Sequence, residues 1–254
     1  MWDPNAYARY GDERSRPFFE LVARIGATAP RAVVDLGCGP GNLTATLASR
    51  WPGATVSGLD SSPEMIEKAR ASADLDFAVA DVNDWTPGPD VDVIVSNAVL
   101  QWVPGHEDLL RRWSRALPAD GWLAFQVPGN FAARSHETLR ALAFEEPWRD
   151  LLEQPRVAPV LDAAGYAELF LAEGMTVDAW QTTYVHLLPA ADVHPVLTWM
   201  EGTALRPVRS RLDDANWAVF RAELAGRLAE SYPTVGGVVP FPFTRIFCVA
   251  HKAD

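Results

Sequence analysis

Short apolar runs alternate along this chain with stretches whose apolar positions recur every three or four residues. The first run, 33–36, ends in a turn with Gly37, Gly39 and Gly41, and a helical pattern follows over 43–50. Further runs lie at 54–59, 76–79, 91–96 and 122–127. Between the last two, 106–117 places Leu109, Leu110, Trp113 and Leu117 on one helical face. Strand-type runs separated by helix-type stretches predict a parallel sheet flanked by helices.

The alternation lapses after Asn130. Residues 131–175 read as mainly helical, with breaks near Pro147, Pro155 and Pro159. A β-like stretch at 176–188 carries Trp180, Tyr184 and His186. Residues 190–232 are helical again, with Trp217, Phe220, Leu224 and Leu228 in helical spacing, and 243–250 reads as a closing strand. Ahead of the first strand, 17–26 predicts an amphipathic helix with Phe18, Leu21, Val22 and Ile25 on one face. Residues 1–16 mix Trp2, Tyr7 and Tyr10 with arginines and read as a lid, since solvated tails carry few large aromatics. The expected architecture is α/β: a Rossmann-like, seven-stranded, mostly parallel sheet with helices on both faces. One domain spans 1–254, with a helical cap from about 131–175 and 190–232.

Composition narrows the chemistry. The 254 residues are 48% hydrophobic and 22% charged, an ordinary globular balance. A formal net charge of −11 opposes nonspecific nucleic-acid binding, which relies on a basic surface. No apolar run is long enough to span a membrane, and 1–4 lacks the pattern of a signal peptide, so a cytoplasmic protein is expected. The two cysteines, Cys38 and Cys248, and the histidines His106 and His186 have no metal-ligand spacing, so no metal is expected.

The glycine turn has the order strand, turn, helix of a nucleotide-binding unit. Its spacing is G-x-G-x-G, one residue shorter than the dinucleotide fingerprint, which disfavours a nicotinamide enzyme. Asp35, two residues before Gly37, suits a ligand bearing an ammonium or sulfonium better than a pyrophosphate. Asp60 closes the second run 19 residues beyond Gly41, where an acid can accept both ribose hydroxyls of an adenosine. Ser61 and Glu64 have capping-box spacing ahead of a helix. Asp81 follows the third run beside Val82, a pair suited to an adenine amino group and ring face, with Asp84 competing for that role. Asn97 ends the fourth run, where ligands of open α/β sheets lie.

Several segments carry a closer likeness: Trp-Asp-Pro at 2–4, Glu-Arg-Ser-Arg-Pro at 13–17, Asp-Leu-Gly-Cys-Gly-Pro-Gly-Asn at 35–42 and Asp-Ser-Ser-Pro-Glu-Met-Ile at 60–66. To these add Ser-Asn-Ala-Val-Leu-Gln-Trp at 96–102, Gln-Val-Pro-Gly-Asn at 126–130, Trp-Gln-Thr-Thr-Tyr at 180–184 and Leu-Arg-Pro at 205–207. The chain resembles the class I S-adenosylmethionine-dependent methyltransferases, in the branch whose acceptor is the tricarboxylate trans-aconitate. It departs from that branch at Gly129, where an acid is common before the asparagine, and at Ala204, where glycine is common.

The resemblance implies S-adenosylmethionine as cofactor and S-adenosylhomocysteine as product. On the cofactor side it points to Asp35, Gly37, Cys38, Gly39 and Gly41, then Asp60 and Ser61, and finally Asp81, Val82 and Asn97. It also implies methyl transfer to a carboxylate of a small tricarboxylate. Since that nucleophile is ionised at neutral pH, no catalytic base is expected. Acceptor candidates are Arg16, Trp102, Tyr184, Arg206, Tyr232 and Arg245. Arg206 stands out, at the end of a helix that carries Trp199 and Met200 in the expected cap, and its alternative role is a cation at that helix C-terminus. Trp102 could instead fill the sheet–helix interface, and the two tyrosines could be core. The rival reactions are methylation of a malonyl group on an acyl carrier protein and O-methylation of another small molecule. Oligomeric state stays open.

Overall fold

The computed structural model describes residues 11–152 and 160–253, with side chains from residue 15 onward. Helix α1, Gly11–Ala23, precedes β1, Ala32–Leu36; the glycine turn leads to α2, Thr44–Arg50, and then to β2, Thr55–Asp60. Helix α3, Pro63–Ser72, β3, Asp76–Val79, and β4, Val91–Asn97, follow. A 3-10 turn, Leu100–Trp102, and α4, His106–Ala116, lead to β5, Trp122–Pro128. Beyond it come α5, Arg134–Ala143, the single turn α6, Trp148–Leu151, α7, Ala163–Ala172, and β6, Thr176–Pro189. Helices α8, Pro195–Glu201, α9, Arg206–Arg211, and α10, Asp214–Ser231, precede β7, Val238–His251.

The seven strands form one sheet in the order β3-β2-β1-β4-β5-β7-β6. Strands β1 to β5 are parallel to one another, and β7 runs antiparallel to β5. The chain therefore lays β2 and β3 on one side of β1 and β4 and β5 on the other. The reversal between β1 and β4 is the switch point at which open α/β sheets bind ligands.

The chain divides into two compact units. The first holds residues 14–128, 160–182 and 245–253. Its core is Ile94, Leu123 and Phe125 of the sheet against Leu110 and Trp113 of α4 and Tyr166 and Phe170 of α7. The second holds residues 11–13, 129–152 and 183–244, with a core of its own built from Leu139, Trp148, Trp199, Phe220, Leu224 and Phe241.

Local chemistry explains the helix starts. Asp162 accepts from Gly165 N at 2.8 Å to open α7, and Asp213 accepts from Asn216 N at 2.8 Å to open α10. Before α3 the cap is Ser62, whose hydroxyl accepts from Met65 N, with Pro63 at the first helical position. The capping role expected of Ser61 is thus corrected by one residue, because proline fits the first turn where its missing N–H is not needed.

Other expectations shift as well. The helix expected from residue 17 begins at Gly11 and runs through Pro17, so 11–16, read as lid, are helical; the rest of that lid, 1–10, lies outside the described residues. Helix α7, expected in the cap, belongs to the sheet unit, because Tyr166, Leu169 and Phe170 bury against its core. Strand β7 starts at Val238, five residues before the expected 243, since 243 − 238 = 5.

Candidate functional site

The parallel register sets Leu36 beside Ser96 and Asp35 beside Gly58, so the ends of β1, β2 and β4 meet at the switch point. There the glycine turn crosses the sheet edge. All three glycines have left-handed backbone, with φ of 78°, 55° and 78° for Gly37, Gly39 and Gly41. They differ in surroundings. A Cβ on Gly37 would lie 2.0 Å from Val99 Cγ2, and one on Gly41 would meet Ala69 and Phe77 at 2.8 Å. A Cβ on Gly39 would meet nothing within 4 Å among the described residues. Two glycines let the turn pack against the protein, and the third exposes bare backbone to a ligand.

Asp60 fixes this turn. Its Oδ2 accepts from Gly39 N at 2.9 Å and its Oδ1 from Ser62 N at 2.9 Å, so one carboxylate joins the turn to the start of α3. Each oxygen keeps a further lone pair for a hydroxyl donor. Leu59 O holds the same turn by accepting from Gly37 N at 2.7 Å and Cys38 N at 2.9 Å.

Asp35 lies buried beneath. Its Oδ2 accepts the Thr44 hydroxyl at 2.6 Å, a partner the sequence reading missed. Burial, reinforced by the negative charge of Asp60 and opposed by the Thr44 bond, raises the Asp35 carboxyl to about 6. Cys38 turns its side chain into a small cluster with Ile66, Ala69 and Phe77, and burial pushes its thiol up; its contribution to a ligand is limited to backbone. Ser61 is exposed.

Asp81 is exposed after β3, and its Oδ1 accepts from Asn83 N and Asn83 Nδ2, both at 2.8 Å. Val82 is buried at the margin of the main core. Its side chain therefore serves packing first.

Past β4 the backbone is unusual. Ala98 has φ of 59°, left-handed for a residue with a side chain. Both its peptide groups are held: Ala98 N donates to Gln126 O at 2.9 Å, and Ala98 O accepts from Gln101 Nε2 at 2.6 Å. Asn97 pairs in register with Gln126. The side-chain oxygens of Asn97, Gln101 and Gln126 are buried and accept no hydrogen bond among the described residues. Gln101 and Gln126 were missed by sequence reasoning, although a glutamine inside the apolar run 122–127 is itself a signal.

The acceptor candidates divide between the units. Arg16, Trp102 and Arg245 belong to the first, and Tyr184, Arg206 and Tyr232 to the second. Trp102 is 51% exposed on the 3-10 turn, so it does not fill the sheet–helix interface. Arg16 is exposed on α1, and Arg245 is buried in β7. Arg206 opens α9 and does not end a helix; the reading as a cation meeting a helix C-terminus is therefore wrong, because α8 stops at Glu201. Tyr184 and Tyr232 are buried, and the Tyr232 hydroxyl accepts from Ser135 N at 3.0 Å.

His106 is buried at the start of α4, with Nε2 2.7 Å from the Tyr166 hydroxyl. Among the described residues no cluster of His, Cys, Asp or Glu could hold a metal ion, and no helix is long and apolar enough to cross a membrane.

Solved structures share this fold at low identity. A Bacillus subtilis protein, YcgJ, matches with a TM-score of 0.62 at 14% identity, covering 94% of this chain and 99% of that one. A phosphoethanolamine N-methyltransferase 2 of Haemonchus contortus, solved with S-adenosylhomocysteine, matches with a TM-score of 0.55 at 16% identity, over 94% of this chain and 53% of that one. A family described as "Methyltransferase domain" matches residues 33–121, from β1 through the turn before β5.

Relatives similar in sequence extend over the whole length. The trans-aconitate 2-methyltransferase of Mycobacterium sp. (strain KMS) is 56% identical over 98% of this chain and 99% of its own. That of Rhodococcus jostii (strain RHA1) is 55% identical over 98% and 99%, and that of Mycobacterium tuberculosis (strain ATCC 25177 / H37Ra) 51% identical over 98% and 96%. On this identity and coverage, the chain belongs to the trans-aconitate 2-methyltransferase family of S-adenosylmethionine-dependent methyltransferases.

Proposed function

We propose that this protein transfers the methyl group of S-adenosylmethionine to a carboxylate of trans-aconitate, yielding the monomethyl ester and S-adenosylhomocysteine. The observation that carries the reading is full-length identity of 51–56% to trans-aconitate 2-methyltransferases. The switch-point groups fit the cofactor: a glycine with open space beside it, a carboxylate with free lone pairs and three buried acceptors without donors.

In this reading Asp60 accepts the ribose hydroxyls and Asp81 the adenine amino group, with Val82 beside it. The backbone of the turn at Gly37, Cys38, Gly39 and Gly41 lies along the amino-acid portion, with Ser61 at the ribose edge. Asn97 stands at the methyl end, and the charge of Asp35 favours the cationic portion. The cofactor supplies an electrophilic methyl group. The chain's own task is to hold an acceptor carboxylate, already ionised at neutral pH, in line and away from water. That needs no proton abstraction, so no residue is assigned as a general base.

Arg206 is the first choice for gripping an acceptor carboxylate, since its planar fork matches carboxylate geometry. Arg16 and Arg245 are further cationic candidates, Tyr184 and Tyr232 hydroxyl candidates and Trp102 an aromatic wall. The whole chain then acts as one methyltransferase domain.

Incubation with S-adenosylmethionine and trans-aconitate, followed by mass spectrometry of the acid fraction, tests the reading. A base-labile monomethyl ester is expected. Unmodified acid beside a protein that binds the cofactor would refute the acceptor assignment.

A further inference from the structure

Three unpartnered acceptors collect around one strained peptide. Asn97 ends β4, Gln126 is its register partner in β5, and Gln101 reaches back from the 3-10 turn to hold Ala98 O. The side-chain oxygens of all three are buried and receive no hydrogen bond among the described residues. A buried acceptor left without a donor is destabilising, and three on the 97–101 segment and its register partner mark a place suited to a positive or donating group. Left-handed Ala98, bonded through its N–H to Gln126 O and through its carbonyl to Gln101 Nε2, is a second departure from relaxed geometry, of the sort that gathers at ligand sites.

The cluster adjoins the glycine turn directly, because Gly37 packs so closely on Val99 that a Cβ there would lie 2.0 Å from its side chain. Nearby formal charge is negative, from Asp35 and Asp60. The unmet need is therefore for positive charge. Amide oxygens attract such charge without the nucleophilicity of a carboxylate, which beside an electrophilic methyl could itself be alkylated.

We infer that the side-chain oxygens of Asn97, Gln101 and Gln126 form a neutral acceptor cluster that recognises the positive sulfonium and its methyl group, and so favours S-adenosylmethionine over the uncharged thioether product. The inference rests on the cofactor reading above and adds Gln101 and Gln126 to its binding residues. It gives the protein a means of releasing product: the charge that the cluster attracts disappears when the methyl leaves.

Calorimetric titration of S-adenosylmethionine and S-adenosylhomocysteine into wild type, Gln126→Leu and Gln126→Glu tests it at pH 8. Gln126→Leu keeps side-chain bulk and removes the acceptor; affinity for S-adenosylmethionine should fall about tenfold, with S-adenosylhomocysteine changed less than about twofold. Gln126→Glu, which adds a negative charge, should raise the preference for S-adenosylmethionine over S-adenosylhomocysteine several-fold, and an unchanged preference overturns the inference even if the leucine variant does not fold. Equal losses of both ligands in Gln126→Leu would show a merely structural role. A raised KM for trans-aconitate with unchanged cofactor preference would assign the amides to the acceptor. Either result overturns the inference. Failure of the wild type to bind either ligand would instead overturn the cofactor reading itself.

Discussion

Gly37 and Gly39 share a left-handed backbone but stand in opposite surroundings, and substitution should separate packing from ligand access. Gly37→Ala forces a Cβ to 2.0 Å from Val99 Cγ2, so a loss of roughly 3 kcal/mol or more in chemical denaturation is expected. Gly39→Ala has open space and bears only the backbone strain, about 1–2 kcal/mol. It should fold and bind S-adenosylmethionine more weakly. Unimpaired binding by folded Gly39→Ala would remove that glycine from the cofactor site.

Asp35 adds a pH signature. Its carboxyl, raised to about 6 chiefly by burial, holds a proton in the native state that an unfolded chain loses near ~3.9. Between those values the native state binds more protons, so stability falls as pH rises from about 4 to about 6 and levels off above. The cumulative effect is roughly 3 kcal/mol, and Asp35→Asn should lack that slope in urea denaturation. A cationic cofactor favours the ionised form, so wild-type affinity should tighten as pH rises through about 6. An identical pH dependence of stability in wild type and Asp35→Asn would contradict this account. At this scale the sequence conveyed chemistry better than surroundings. The acids and glycines announced a ligand, whereas the Thr44 bond and the unmet amides depend on β-strand register, which spacing does not encode.

Elements were legible wherever periodicity was uninterrupted. Strand β3 occupies the expected residues, β2 is shifted by one residue at both ends, and β4, β5 and β6 extend one residue further at the C-terminal end. Strand β7 begins ahead of the expected 243, and Pro240 and Pro242 within it alternate with buried Val239, Phe241 and Phe243. Helix α7 was misplaced because its break from the preceding helices says nothing about which core it joins. Its anchoring is specific. Val103 O can only accept, so His106 Nδ1 donates to it at 3.3 Å, and neutral Nε2 accepts from the Tyr166 hydroxyl at 2.7 Å. Burial lowers the His106 pKa and keeps the ring neutral. Tyr166→Phe should therefore lower stability by about 1–3 kcal/mol, read by urea denaturation, by leaving a buried ring nitrogen without its donor. A change within about 0.5 kcal/mol would show that the bond between α4 and α7 contributes nothing net.

For the molecule as a whole, the cofactor half of the function follows from one sheet and its switch point. The acceptor half rests on single side chains whose roles the fold does not dictate. Arg206, which opens α9, should carry acceptor recognition: Arg206→Ala is expected to raise KM for trans-aconitate about tenfold or more and leave the Kd for S-adenosylmethionine within about twofold. Parallel loss of both would remove Arg206 from the acceptor site. The net charge of −11 bears on partners too, since it disfavours docking of an acidic carrier protein as acceptor.

This chain is expected to esterify trans-aconitate in preference to other carboxylates. The most direct test is competition for labelled methyl from S-adenosylmethionine among trans-aconitate, cis-aconitate, citrate, isocitrate and a malonyl-carrier protein. The account predicts base-labile label on trans-aconitate with the highest kcat/KM of the set. A higher kcat/KM for any other acid, or for the malonyl carrier, would contradict it.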